Sequence, residues 1–348
     1  MADIKSLVRP HLLDIKPYSS ARDEYSGKVG VFLDANENPF ERENYPGVNR
    51  YPDPYQYDVK ALLSNLKNVP IQQIFLGNGS DEVIDLLIRA FCEPSEDSII
   101  ILPPTYGMYE VSASIHNVGI KKIQLTTDFQ LDVKSILSQV DKNDKILFIC
   151  SPNNPSGNLL NKADILELAG GFEGIIAIDE AYIDFASEGT SLVAELNNFP
   201  NMIVMQTLSK AWGFAGLRLG LAFASVEMIS LLNKIKPPYN INLLSQQAAI
   251  EGLKNAEQVK DWVKILIAER DKLAFELGNL DFVEKVYPSD ANFILVKMEK
   301  AREVYERLLH KLIIVRDRSK VVLCDNALRI SIGTAEENQK LLEALKNL

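Results

Sequence analysis

Five short stretches of this 348-residue chain hold residue types from which chemistry could be built. Gly77-Asn78-Gly79-Ser80-Asp81-Glu82 is a glycine-rich turn ahead of a helical pattern. The free backbone N–H groups at such a helix start can hold a phosphate. Ser151-Pro152-Asn153-Asn154-Pro155-Ser156-Gly157 follows the apolar run KILFIC directly. Ile178-Asp179-Glu180-Ala181-Tyr182 closes the next such run, where a carboxylate is awkward unless a cation or donor meets it. Thr207-Leu208-Ser209-Lys210 ends a further run, and Arg218 stands eight residues beyond Lys210, in GLRLG. Lysine becomes a nucleophile when its pKa of ~10.4 is brought down, and a guanidinium grips anions with two bonds. Singly, each of these is more often a satisfied polar group at a strand end. Together they turn Asn, Asp, Tyr, Lys and Arg toward one sheet edge, where open α/β sheets bind ligands.

Competing chemistries have weaker support. The turn begins like G-x-G-x-x-G, but position 82 is Glu, so the dinucleotide fingerprint fails, and no G-x-x-x-x-G-K-[ST] occurs. Cys92, Cys150 and Cys324 are far apart among apolar neighbours, which predicts small buried hydrophobes, not a disulfide framework or a zinc site. His11, His116 and His310 form no metal-ligand pair or triad pattern, so no metal is expected.

A sheet must position these residues. Gln73–Gly77, Ser98–Leu102, Lys145–Cys150, Gly174–Asp179, Ile203–Thr207 and Leu217–Ala224 are short strand-like runs. Several are apolar on both faces, as in a parallel sheet covered by helices on both sides. Asp81–Phe91 reads as a helix, with Ile84, Leu87, Ile88 and Phe91 at i, i+3, i+4 and i+7. Pro237-Pro238 breaks the series. Beyond it, Asn242–Lys254 and Gln258–Leu277 read as long helices. Asn292–Met298, a helix near Ala301–Leu312, the strands IIVR and LRISIG and a closing helix complete an α+β pattern. The expected fold class is α/β: a large domain with a mostly parallel, helix-covered sheet (31–238) and a smaller α+β domain (239–348). Residues 1–30 read as an irregular arm packing with the small domain.

The 37 Lys and Arg against 47 Asp and Glu leave a net charge of −10, which argues against a nucleic-acid partner. No apolar stretch approaches the ~18 residues of a membrane span. MADIKSLVRP lacks the apolar core of a signal peptide, so a cytoplasmic location is expected.

The strand-end blocks also carry a resemblance. S-P-N-N-P-S-G, D-E-A-Y, T-L-S-K-A and G-L-R-L-G resemble the pyridoxal 5'-phosphate (PLP) aminotransferases of fold type I. Pro17–Arg22, Ala35–Pro39, Asn49–Pro52, Pro103–Tyr109, Ile314–Asp317 and Leu328–Ser331 extend it to the histidinol-phosphate aminotransferase family, in order and over nearly the whole chain. The resemblance implies the PLP-dependent transferase fold type I with PLP as cofactor. It implies that Lys210 carries PLP through an imine and moves the proton, and that Asp179 meets the pyridine nitrogen. Asn154 and Tyr182 would face the phenolate oxygen, and Tyr106 would stack on the ring. Arg218, Ser209, Thr207 and the N–H groups near Ser80 and Asp81 would hold the phosphate. Tyr51 is implied on the phosphate of a neighbouring subunit, hence a homodimer. Tyr18, Asn36, Arg316 and Arg329 are implied as the substrate site, with a structural carboxylate partner as the competing reading for each arginine. The implied reaction uses small-molecule substrates of histidine biosynthesis: L-histidinol phosphate and 2-oxoglutarate give imidazole-acetol phosphate and glutamate. An aromatic amino-acid aminotransferase or a threonine-phosphate decarboxylase of the same fold is the alternative.

Overall fold

The computed structural model describes residues 4–18 and 30–347. The chain begins with two short helices, α1 (Ile4–Leu7) and α2 (Pro10–Asp14), and continues through α3 (Tyr57–Lys67), β1 (Ile74–Asn78), α4 (Ser80–Phe91), β2 (Ser98–Ile101), α5 (Met108–Ile115) and β3 (Gly119–Lys122). Next come α6 (Val133–Gln139), β4 (Asp144–Cys150), α7 (Lys162–Gly171), β5 (Ile175–Asp179), β6 (Met202–Thr207), β7 (Leu219–Ala224) and α8 (Val226–Ile235). The remainder is α9 (Leu243–Lys254), α10 (Ala256–Gly278), β8 (Val283–Val286), β9 (Phe293–Met298), α11 (Ala301–His310), β10 (Arg316–Asp317), β11 (Ala327–Ser331) and α12 (Ala335–Lys346).

The first seven strands form one sheet in the order β1-β7-β6-β5-β4-β2-β3. Pairing is parallel from β3 through β2, β4 and β5 to β6, whereas β7 runs antiparallel to both β6 and β1. The C-terminal ends of β1, β4, β5 and β6 therefore share an edge with the start of β7. Successive side chains of a strand enter opposite cores. On β4, Leu147 and Ile149 join one apolar cluster while Ile146 and Phe148 join the other. Burying such a side chain contributes ~1.5–3 kcal/mol, so both faces of the strand must be apolar. β3 (GIKK) was not anticipated: it is an outer strand, and its two lysines hide it from a search for apolar runs.

The described part of the arm departs from the expectation that it packs with the small domain. Ile4 on α1, Val8 between the two helices and Leu12 on α2 are all buried, and they enter the cluster that contains Ile84, Leu87, Met228 and Ile229 of α4 and α8. Arg9 pairs with Glu93 at 2.9 Å, and Lys234 Nζ donates to the carbonyls of Leu12 and Leu13 at 2.7 and 2.8 Å. The arm is thus pinned to the large sheet's helices.

The second sheet is antiparallel, in the order β10-β11-β9-β8. One face packs on α10, α11 and α12 through Leu273, Leu277, Val296, Leu328, Leu341 and Leu345. The other face sends Phe293, Leu295 and Ala327 into the core of the first sheet. That core also continues past position 238, taking in Ile241, Ala249 and Leu253, so no break in packing falls there.

Candidate active site

The shared edge of the first sheet gathers the strand-end residues around one cavity. Its corner is the turn between β1 and α4. Gly79 has φ +82° and caps α4 without a side-chain bond, which leaves the first N–H groups of the helix available. A Cβ at Gly79 would lie 2.8 Å from Arg218 Nη2, and one at Gly220 would collide with the backbone of Gly79 and Ser80. Only glycine allows the turn, β7 and Arg218 to come this close. Arg218 is itself left-handed (φ +54°), and its guanidinium lies 3.7 Å from Asp81. Thr207 Oγ1 lies 3.0 Å from Ser209 Oγ and 3.2 Å from the carbonyl of Leu219. A helix start, a guanidinium and two hydroxyls at one point form an anion site.

Asp179, the last residue of β5, is the buried floor of the cavity. Tyr109 donates its hydroxyl to Oδ2 at 2.7 Å, and the Ala181 N–H donates to Oδ1 at 3.0 Å. Burial pushes the Asp179 pKa up, against these two bonds and the charge of Lys210. The carboxylate has two neutral donors and, among the described residues, no bonded cation, so a protonated ring nitrogen suits it. Tyr109 was missed in the sequence. It is fully buried, parallel to Phe148 with ring centroids 4.6 Å apart, and Tyr106 meets it edge-on at 5.6 Å. Its signal was faint: a second tyrosine three residues after Tyr106, which alone reads as core. Tyr106 also donates to Asp81 Oδ1 at 3.1 Å.

Lys210 follows the end of β6, with its Nζ 5.5 Å from the centre of the Tyr182 ring. Its side chain is open to solvent through the cavity mouth. Even so, its pKa falls below the ordinary lysine value, first through partial desolvation and then through the charge of Arg329, with Asp179 opposing. That favours the neutral, nucleophilic amine. Tyr182 packs edge-on against Phe293 at 5.0 Å, and burial raises its pKa. Asn154 is buried, and its Oδ1 accepts from Arg329 Nη1 at 2.6 Å. Arg329 thus reaches the cavity from β11 and lies 5.2 Å over the Phe293 ring.

The cavity therefore brings together Ser80, Asp81, Tyr106, Asn154, Asp179, Tyr182, Thr207, Ser209, Lys210 and Arg218. Other expected residues lie elsewhere in this chain. Tyr51 is half-exposed and stacks on Tyr239 at 4.5 Å, Tyr18 is 73% exposed, and Asn36 is exposed with φ +54°. Arg316 is exposed on β10, directly across from Arg329. Ser19 to Arg22, part of one of the resemblance blocks, lie outside the described residues. Among the described residues, no group of three or more His, Cys, Asp or Glu is placed to hold a metal.

The anion corner, the buried carboxylate and the half-desolvated lysine fit a phosphorylated, nitrogen-containing ring bound through an amine. The chain belongs to the aminotransferase class I and II family, whose model matches residues 26–345. Similar proteins narrow the class. The histidinol-phosphate aminotransferase of Cytophaga hutchinsonii is 55% identical over 343 residues, covering 99% of this chain and 98% of that protein. The crystal structure of the histidinol-phosphate aminotransferase from Clostridium acetobutylicum superposes with a TM-score of 0.80 at 28% identity, over 86% of this chain and 90% of that one. The Sinorhizobium meliloti structure, in complex with pyridoxal-5'-phosphate, shares the fold with a TM-score of 0.78 at 21% identity, over 97% of both chains. The expected fold class holds, and PLP is the cofactor of this family. No helix among the described residues is long and apolar enough to cross a membrane.

Proposed function

We propose that the chain transfers the amino group of L-histidinol phosphate to 2-oxoglutarate, giving imidazole-acetol phosphate and glutamate, as a step of histidine biosynthesis in the cytoplasm. The observation that carries the reading is the convergence of Lys210, Asp179 and the Ser80–Arg218 anion corner on one sheet edge. Bound PLP supplies an electron sink for the carbanion. The N–H groups of Ser80 and Asp81, with Thr207, Ser209 and Arg218, hold its phosphate. Asp179 would meet the ring nitrogen and favour its protonated form. Asn154, whose oxygen is taken by Arg329, would offer its amide N–H to the phenolate oxygen together with the Tyr182 hydroxyl. Tyr106 would cover the ring face. Lys210 would hold the cofactor, and its Nζ would serve as general base and acid for the proton of the substrate carbon. Arg316 and Arg329, with Tyr18 and Asn36, receive the anionic ends of both substrates in turn.

In this reading residues 31–238 hold the cofactor and 239–348 contribute the arginines. Tyr51, exposed and outside its own chain's cavity, serves the phosphate corner of a second copy in a homodimer. Mixing an inactive Tyr51 variant with an inactive Lys210→Ala variant should then restore part of the activity, because one site of each mixed dimer carries neither lesion. No recovery after proven subunit exchange places Tyr51's role in its own chain. The reaction itself is tested by single-turnover amino transfer from histidinol phosphate, phenylalanine, tyrosine and aspartate. Histidinol phosphate should be the best donor by kcat/KM. A better aromatic donor, or release of carbon dioxide from threonine phosphate, sinks the assignment.

A further inference from the structure

The second sheet turns three guanidiniums to one side, and only two of them have been given a task. Arg316 and Arg329 are direct antiparallel partners on β10 and β11, so their side chains leave the same face. Arg318 lies two residues beyond Arg316 and continues the ladder, its N–H donating to the carbonyl of Ala327 at 2.9 Å. The period of two returns it to that face. The face is the one that carries Leu295 and Phe293 toward the cavity, since Arg329 pairs with Leu295.

Like charges directly opposite one another destabilise a sheet unless something of the other sign meets them. Among the described residues, no carboxylate closes an ion pair with them. Asp317, the nearest carboxylate in sequence, points to the other face, where it pairs with Arg302 at 3.3 Å and accepts from the Ser319 N–H at 2.9 Å. The Nε–H groups of Arg318 and Arg329 are both buried without an acceptor among the described residues, so each still has a donor to offer. Arg318 lies within electrostatic reach of Arg316, Cys324, Tyr182 and Asp317, and Tyr182 is a residue of the cavity, while Asp317 accepts its hydrogen bonds from Arg302 and Ser319.

We propose that Arg318 is a specificity-determining residue: it completes, with Arg316 and Arg329, a three-guanidinium pocket for the phosphate dianion of the amino donor. The proposal rests on the histidinol-phosphate reading above and adds to it the residue that separates a phosphate monoester from a carboxylate. A phosphate monoester carries roughly −1.5 to −2 charge near neutrality and presents three acceptor oxygens. Glutamate brings a single charge per carboxylate, which two guanidiniums already satisfy. A third fork therefore favours the phosphate over the carboxylate.

The test uses the PLP-loaded enzyme, so that the cofactor's own phosphate fills the corner at Ser80 and Arg218. Single-turnover kinetics compare histidinol phosphate, histidinol without its phosphate, and glutamate in wild type, Arg318→Gln and Arg318→Lys. In Arg318→Gln, kcat/KM for histidinol phosphate should fall roughly ten- to a hundredfold, while histidinol and glutamate change by less than about threefold. Arg318→Lys should recover part of the loss. Thermal unfolding supplies a second readout with inorganic phosphate as the probe. Phosphate should raise the Tm of the wild type more than that of Arg318→Gln. Without phosphate the variant should be at least as stable as the wild type, because a like-charge neighbour has gone. Equal losses with all three donors, or a lower Tm without phosphate, would mean that Arg318 only supports the fold. A wild type inert toward histidinol phosphate overturns the functional reading as well. An active wild type matched by Arg318→Gln overturns this inference alone.

Discussion

The two sheets bring opposite kinds of polar chemistry to one cavity. On the floor, from the first sheet, polar groups are satisfied in advance. Asp179 receives Tyr109 and Ala181, and Thr207 is tied to Leu219 and Ser209. On the wall, from the second sheet, Arg316 and Arg318 form no ion pair with a carboxylate among the described residues, and Arg329 is hydrogen-bonded to the floor through Asn154. A buried donor left unpaired costs ~1–3 kcal/mol, which applies to the Nε–H groups of Arg318 and Arg329 until an acceptor arrives, whereas Arg316 is exposed. The difference separates two jobs. A preorganised floor serves the step common to every substrate, whereas an unsatisfied wall selects among them. Floor lesions should therefore slow both half-reactions equally, and wall lesions should divide the substrates.

The largest effect is expected at the centre of the floor. Asp179→Ala removes the charge that stabilises the protonated ring nitrogen, and a preorganised electrostatic contact of this kind contributes ~10²–10³ in kcat. The variant should keep part of its PLP, read from its absorbance, and lose turnover by that order with histidinol phosphate and glutamate alike. Near-normal turnover at full PLP occupancy would remove Asp179 from the chemistry. A smaller effect is expected one step behind. Tyr109→Phe keeps the stacking on Phe148 but leaves Asp179 Oδ2 without its donor. The carboxyl pKa, already raised by burial, moves further up, and the ring nitrogen loses part of its counter-charge. Both half-reactions should slow by roughly five- to a hundredfold, the equivalent of one buried acceptor left unpaired. If only the phosphorylated donor suffers, the division between floor and wall fails.

How much of this was legible in the sequence follows the same division. The strands of the first sheet were readable because both faces of β4, β5 and β6 are buried, which forces continuous apolar runs. Asp179 and Lys210 stood out because each interrupts such a run at its end. Tyr109 did not, since a tyrosine on a helix is ordinarily core, and its hydroxyl finds Asp179 only once α5 has packed against β2 and β3. The arm's packing is not legible because its buried apolar residues, Ile4, Val8 and Leu12, are sparse and spread over two short helices and the break between them, so no helical period shows. The arginines of β10 and β11 were visible singly, yet their alignment depends on the register between two strands that no local pattern fixes. Of the expected strand IIVR only Arg316 pairs, and the paired stretch runs on to Asp317; three β-branched apolar residues in a row raise the strand signal before the pairing begins.

The smallest effect lies where floor and wall meet, at Arg329. Its charge is the second cause, after desolvation, of the lowered pKa of Lys210. A neighbouring cation disfavours the protonated amine, so removing it must raise that pKa. Capture of PLP by the apoenzyme needs the neutral amine, and its rate rises with pH as Lys210 loses its proton. The midpoint of that rise should lie below the ordinary lysine value of 10.5 in the wild type and move upward in Arg329→Gln. The glutamine also forfeits the bond to Asn154, so a change in capture could come from a displaced floor instead of a lost charge. Arg329→Lys separates the two causes. It keeps the charge without the planar fork, so the midpoint should stay near the wild-type position even where the capture rate falls. Stopped-flow absorbance across the alkaline range reads both quantities. A midpoint that moves equally in the two variants would show that Arg329 acts on Lys210 through Asn154 and the shape of the floor, and the wall would then have no electrostatic hold on the catalytic amine.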